Sequence, residues 1–131
     1  MSPAGACASI SLVAPTVVIV DDHAGFRAEA AQLLKAAGYE VVASCPDGRS
    51  ALAAISQLHP DVVLLDVQLP DTDGFRLIAQ LDAAEEGATI ILTSSREAAD
   101  YGNRVGRSGA AGFITKAELS ARSLAQVVPW R

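Results

Sequence analysis

Five residues of this chain have types and positions suited to phosphoryl chemistry: Asp21, Asp22, Asp66, Thr93 and Lys116. Asp21 and Asp22 directly follow the apolar run Val17-Val18-Ile19-Val20, and Asp66 directly follows Val62-Val63-Leu64-Leu65. Thr93 closes Ile90-Ile91-Leu92, with the small residues Ser94 and Ser95 after it, and Lys116 stands just beyond Gly112-Phe113-Ile114. Carboxylates brought close together repel, and one has its pKa raised unless a cation compensates. Mg2+ takes oxygen ligands, keeps several waters and suits one or two carboxylates plus a phosphate oxygen; Mn2+ favours similar ligands. Aspartate is an adequate nucleophile for forming an acyl phosphate. A hydroxyl at Thr93 and an ammonium at Lys116 suit the oxygens of a phosphoryl group in transfer, which is catalysed mostly by positioning and charge. Singly, each residue has an ordinary reading: Asp22 a helix cap, Asp66 a loop acid, Thr93 a strand end, Lys116 a solvated charge. All of them at strand ends together favour the site.

For these residues to meet, the runs must be neighbouring strands. From Thr16 onward, short β-branched runs alternate with amphipathic stretches, and strands are predicted at 17–20, 39–43, 62–65, 90–92 and 112–114. The first, third and fourth are continuously apolar, as strands covered on both faces of a parallel sheet are. Glu40 in the second and the brevity of the fifth mark these two as edges. Helical stripes are read at Phe26, Ala30, Leu33, Leu34 and Ala37, stopped by Gly38, and at Leu52, Ile55 and Leu58, ended by His59-Pro60. Two more lie at Leu77, Ile78 and Leu81, and at Leu124, Val127 and Val128 before Pro129. The fourth helix, at about 96–108, holds Gly102, Asn103 and Gly106 and only Tyr101 and Val105 as large apolar residues. Each Gly costs about 1 kcal/mol relative to Ala inside a helix, so this one is expected to be the least stable. The alternation reads as a flavodoxin-like (βα)5 α/β fold, a doubly wound parallel sheet of strand order 2-1-3-4-5. Ligands of such sheets bind beyond the carboxyl ends of the strands near the switch in strand order, where the acids fall.

A length of 131 residues fits one domain, read as 16–128 with tails at 1–15 and 129–131, and half the residues are hydrophobic. A net charge of −5, with 10 Lys and Arg against 15 Asp and Glu, argues against direct binding of nucleic acid. Cys7 and Cys45 are far apart and show no metal or disulfide spacing, which fits a reducing cytoplasm. No apolar run reaches the roughly 20 residues that span a bilayer, so no membrane is expected. Met1 to Pro15 lacks the basic start of a signal peptide and is read as a disordered or loosely docked tail.

The segments "VVIVDDHAGFR", "DVVLLDVQLPDTDGF", "IILTSS" and "GAAGFITKAEL" together resemble the receiver domain of two-component response regulators, over about Thr16 to Val128. The resemblance implies a signalling switch, not an enzyme acting on other substrates, phosphorylated on Asp66 by a histidine kinase or phosphotransfer protein. It implies Mg2+ held directly by Asp22 and Asp66, through water by Asp21, and by the backbone carbonyl of Gln68. Thr93 is then the switch hydroxyl, Phe113 the switch aromatic and Lys116 the phosphoryl-binding lysine. On phosphorylation Thr93 swings inward, Phe113 rotates and the soft fourth helix shifts. The face built from helix four, strand five and helix five would then meet a second copy or an output partner. Gln68 and Ser95 flank the expected path of the hydrolytic water. Ala117 departs from the family by standing where many receivers have Pro. "FITKAEL" is the form usual in receivers joined to a helix-turn-helix, so the chain is read as stand-alone or lacking its output domain.

The alternative in the same fold is a pseudo-receiver, a protein-binding module that never takes phosphate, but such modules usually lose the acidic pair, the acceptor or the lysine. An aspartate-nucleophile phosphatase would want its acceptor after strand one, in a DxDx(T/V) pattern. A flavin-binding protein would want a phosphate loop there, where "DDHAGF" repels phosphate. His23, beside the acids, is read as a surface histidine, since Mg2+ prefers oxygen.

Overall fold

The computed structural model describes residues 14–128. The expectations for the first 13 residues and for 129–131, Trp130 included, lie outside the described residues. The strands are β1 (Thr16–Val20), β2 (Glu40–Cys45), β3 (Val62–Asp66), β4 (Thr89–Ser94) and β5 (Gly112–Thr115). All pair parallel in the order β2-β1-β3-β4-β5, which places β2 and β5 at the edges. The helices are α1 (Ala24–Ala36), α2 (Gly48–Leu58), α3 (Gly74–Ala83), α4 (Arg104–Arg107) and α5 (Ala121–Val127). Short 3-10 turns occupy Ala98–Tyr101 and Lys116–Glu118.

Alternation along each strand splits the core in two. Val18, Val63, Leu65, Ile90 and Leu92 face Ile55 of α2 and Leu77, Ile78 and Leu81 of α3. Val17, Ile19, Leu64, Ile91 and Ile114 face Leu34 of α1 and Leu124 of α5. Burial of β1, β3 and β4 on both sides explains their unbroken apolar runs.

Side chains that relieve unpaired backbone N–H groups fix the helix starts. Asp47 accepts from Ser50 N–H at 2.8 Å, and Asp73 accepts from Arg76 N–H at 2.9 Å. Asp71, in the loop after β3, reaches across to α2, its two oxygens accepting from Gly48 N–H at 2.8 Å and Arg49 N–H at 3.0 Å. Gly74 opens α3 where a Cβ would lie 2.9 Å from the Asp66 carbonyl oxygen, so only glycine lets α3 start against the end of β3.

Three predicted details are corrected. The fourth helix is not continuous: the 3-10 turn Ala98–Tyr101 ends at Gly102, whose φ of 62° and ψ of −132° turn the chain before the four-residue α4. No residue of either piece is buried, so little packing opposes the break. Leu58 is 44% exposed rather than part of the α2 core stripe, because it is the last helical residue and His59 leaves at φ 47°. β2 begins at Glu40 and continues to Cys45, past the predicted end at Ala43.

Candidate functional site

The carboxyl ends of β1 and β3, neighbours in the sheet, bring Asp21 and Asp66 together. Asp21 is fully buried and Asp66 is 4% exposed, whereas Asp22 reaches outward to the crevice. Carboxylate oxygens of Asp21, Asp22 and Asp66 and a ring nitrogen of His23 lie within 4.8 Å of one another. The chain at Asp21 is held by Arg27, which donates to the Asp21 carbonyl at 2.7 Å.

Lys116, the first residue after β5, brings its ammonium back over this group. Nζ lies 2.6 Å from Asp21 Oδ2 and 3.4 Å from Asp66 Oδ2. The same nitrogen sits 4.6 Å above the Phe26 ring, a cation–π contact that fixes its approach. Gln68 N–H donates to Asp66 Oδ1 at 3.3 Å. Burial, and after it the Asp21 charge, push the Asp66 carboxyl up to about 6, against the pull of Lys116 and the Gln68 N–H. For Lys116, burial would lower the pKa, but its bond to Asp21 and the charges of both aspartates outweigh this and raise it.

A crevice of about 150 Å³ opens above these groups, lined by Asp22, His23, Asp66, Gln68, Leu69, Pro70, Ser94, Ser95 and Lys116. It is far smaller than the groove of about 420 Å³ between α3 and α4, but the titratable groups converge on the crevice. The all-oxygen set of Asp21, Asp22 and Asp66 fits a hard divalent cation, with the lysine offsetting only part of the crowded charge. His23 Nδ1 lies 3.1 Å from Asp21 Oδ1 and 3.0 Å from Asp22 Oδ1, so this exposed histidine braces the acidic pair.

Thr93 is the site residue that the structure displaces. β4 continues one residue past Thr93, and alternation turns Thr93 toward the face of Ile91 and of its partner Ile114. Although Thr93 is also the register partner of Asp66, its buried Oγ1 meets no hydrogen-bond partner and it does not line the crevice. Ser94 does line the crevice, on the face of Leu92 and Phe113. Polar residues end β4, so the apolar run Ile90-Ile91-Leu92 stops short of the strand end at Ser94, and Thr93 stands at its apparent close. Phe113 is partly buried on that same face, its ring 6.1 Å from Tyr101. In the sequence Ser94 is only the middle of three consecutive hydroxyl residues, Thr93-Ser94-Ser95, and nothing local distinguishes it from its neighbours.

Residues 17–128 match the response regulator receiver domain, and the chain belongs to that family. Fimbriae Z protein of Salmonella typhimurium is 36% identical over 102 residues, 77% of this chain and 49% of the relative. The DNA-binding transcriptional activator EvgA of Escherichia coli is 32% identical over 101 residues, 77% of this chain and 50% of the relative. The chain thus spans about half the length of these curated relatives. The receiver domain of the putative response regulator NarL from Mycobacterium tuberculosis superposes with a TM-score of 0.79 at 29% identity, covering 90% of this chain and 98% of that one. The chain is therefore a receiver domain of two-component signalling with the flavodoxin-like sheet, and receiver domains bind Mg2+ at an acidic pocket and meet histidine kinases or phosphotransfer proteins. No described helix is long and apolar enough to cross a membrane.

Proposed function

We propose that this receiver takes a phosphoryl group on Asp66 from a histidine kinase or phosphotransfer protein. The observation that carries the reading is the crowding of Asp21, Asp22 and Asp66 beneath a single lysine at one small crevice. In the step, an Asp66 carboxylate oxygen attacks phosphorus, the bond from phosphorus to the donor histidine nitrogen breaks, and the imidazole leaves with that electron pair and is protonated. An acyl phosphate results. Asp22, Asp66 and the Gln68 carbonyl would hold Mg2+ directly, with Asp21 acting through water. Bound there, the cation neutralises carboxylate and phosphoryl charge.

Lys116, already paired with Asp66, binds a phosphoryl oxygen on one side of the acceptor. Ser94 replaces Thr93 as the hydroxyl on the other side. Phosphorylation adds close to two negative charges at Asp66. Ser94 turns toward them, Phe113 follows into the space, and the weakly packed stretch from Ala98 to Arg107 rearranges as a population shift between two states. The output face runs over α4, β5 and α5, with a hollow of about 390 Å³ lined by Phe113, Glu118, Arg122 and Gln126. A second copy or an output partner would dock there, in the cytoplasm, with no direct contact to nucleic acid.

Intact-mass analysis tests this after incubation with Mg2+ and acetyl phosphate, a small donor that transfers by the same attack. One added phosphoryl group is expected in the wild type, removed by hydroxylamine and absent in Asp66→Asn. No adduct from acetyl phosphate or from phosphorylated transfer proteins would instead favour the pseudo-receiver.

A further inference from the structure

Ser94 is engaged in the structure described here, and its partner lies outside the phosphoryl site. Its Oγ lies 2.6 Å from the phenolic oxygen of Tyr101, a short hydroxyl pair, and accepts from Arg96 N–H at 3.0 Å. Tyr101 is the last residue of the 3-10 turn, directly before the Gly102 break. Its ring is wedged between Phe75 of α3 at 5.8 Å, edge-on, and Phe113 of β5 at 6.1 Å. One side chain thus touches the switch hydroxyl, the switch aromatic and the least-packed stretch of the fold.

We propose that Tyr101 is a positioning residue: its hydroxyl latches Ser94 away from the phosphoryl site and so holds residues 96–107 in the unphosphorylated arrangement. The inference rests on the receiver reading above. Serine has a single side-chain torsion, and moving between staggered positions carries Oγ roughly 2 Å. That distance takes a hydroxyl 2.6 Å from Tyr101 out of hydrogen-bond range. Phosphoryl oxygens only accept, so Ser94 must donate its one proton to them. Turning to the phosphoryl group therefore exchanges the Tyr101 contact for the phosphoryl contact. Tyr101 loses its anchor as Ser94 leaves, and the ring is freed beside Phe113. Because breaking the latch opposes phosphorylation, its loss favours the phosphorylated arrangement.

The test is Tyr101→Phe, which keeps the ring and its contacts with Phe75 and Phe113 and removes only the oxygen, measured with Mg2+ and beryllofluoride as the phosphoryl mimic. A typical neutral hydrogen bond corresponds to roughly a two- to tenfold change in an equilibrium, and beryllofluoride is expected to bind Tyr101→Phe tighter than wild type by that factor. Amide exchange across 96–107 without the mimic should speed up in the variant, and addition of the mimic should bring the two proteins together. Tyr101→Leu, which also removes the ring, gives the comparison for plain loss of packing. Equal or weaker mimic binding by Tyr101→Phe, with the wild type binding normally, overturns the latch and leaves the receiver reading intact. A wild type that binds no beryllofluoride overturns the receiver reading and the latch together.

Discussion

α3 and the stretch from Ala98 to Arg107 follow consecutive strands of one sheet, yet they are built to opposite specifications. α3 is a ten-residue helix capped by Asp73, with Gly74, Leu77, Ile78 and Leu81 buried against the sheet. The later stretch is a 3-10 turn and a single helical turn around Gly102, with no buried residue. It is attached through the Tyr101 ring and hydroxyl and through Arg104, whose guanidinium lies 4.3 Å over the Phe75 ring. Helices in proteins are held mainly by packing of an apolar face, so the first is fixed and the second is free to move. The phosphoryl crevice is lined by Gln68, Leu69 and Pro70 of the loop that leads into α3 and by Ser94 and Ser95 at the start of the connection to the softer stretch. A group bound there meets the chain entering both.

The sharpest way to break this contrast is a pair of truncations. Leu77→Ala, at a fully buried position, is expected to cost about 3 kcal/mol of global stability in urea unfolding. Val105→Ala is expected to cost less than about 1 kcal/mol and to act mainly on local amide exchange, because Val105 is only partly buried. Equal losses would remove the distinction between the two regions.

A second test concerns the acids at the boundary. Asp66 holds its proton up to about pH 6 in the folded chain, against an ordinary value of 3.8. A raised carboxyl pKa means that the folded state binds the proton more tightly, so stability falls as pH rises between these values and the full penalty applies above the higher one. Asp66→Asn removes that penalty and is expected to be about 3 kcal/mol more stable than wild type near neutral pH in EDTA. The gain should vanish below about pH 4, where wild-type Asp66 is protonated in both folded and unfolded states. Mg2+ should stabilise the wild type and leave the variant much less affected.

Smaller still is the effect expected for Gly102→Ala, about 1 kcal/mol, since the positive φ there suits glycine alone. Its signature should be faster exchange confined to about 98–107 with the exchange of α3 unchanged.

The sheet was legible in the sequence because burial on both faces leaves unbroken runs such as Val62 to Leu65, and a strand end followed by aspartate is hard to mistake. The acids and Lys116 were legible for the same reason. Ser94 was not, because β4 ends in polar residues and a one-residue error in the strand end reverses the face of every side chain at its tip. The softness of the fourth helix was visible in its glycines, but the break at Gly102 depends on a backbone angle that composition does not specify. Asp71 gave no local sign at all: its partners, Gly48 and Arg49, lie on a different helix.

That clasp decides where the chain can be cut or extended. A fusion junction or inserted epitope at 70–72 would unseat the start of α2 and the loop carrying Gln68 in one stroke. The exposed turn at Glu85, where the chain already leaves α3 at φ 59°, lies at the opposite rim and should accept a reporter without disturbing either.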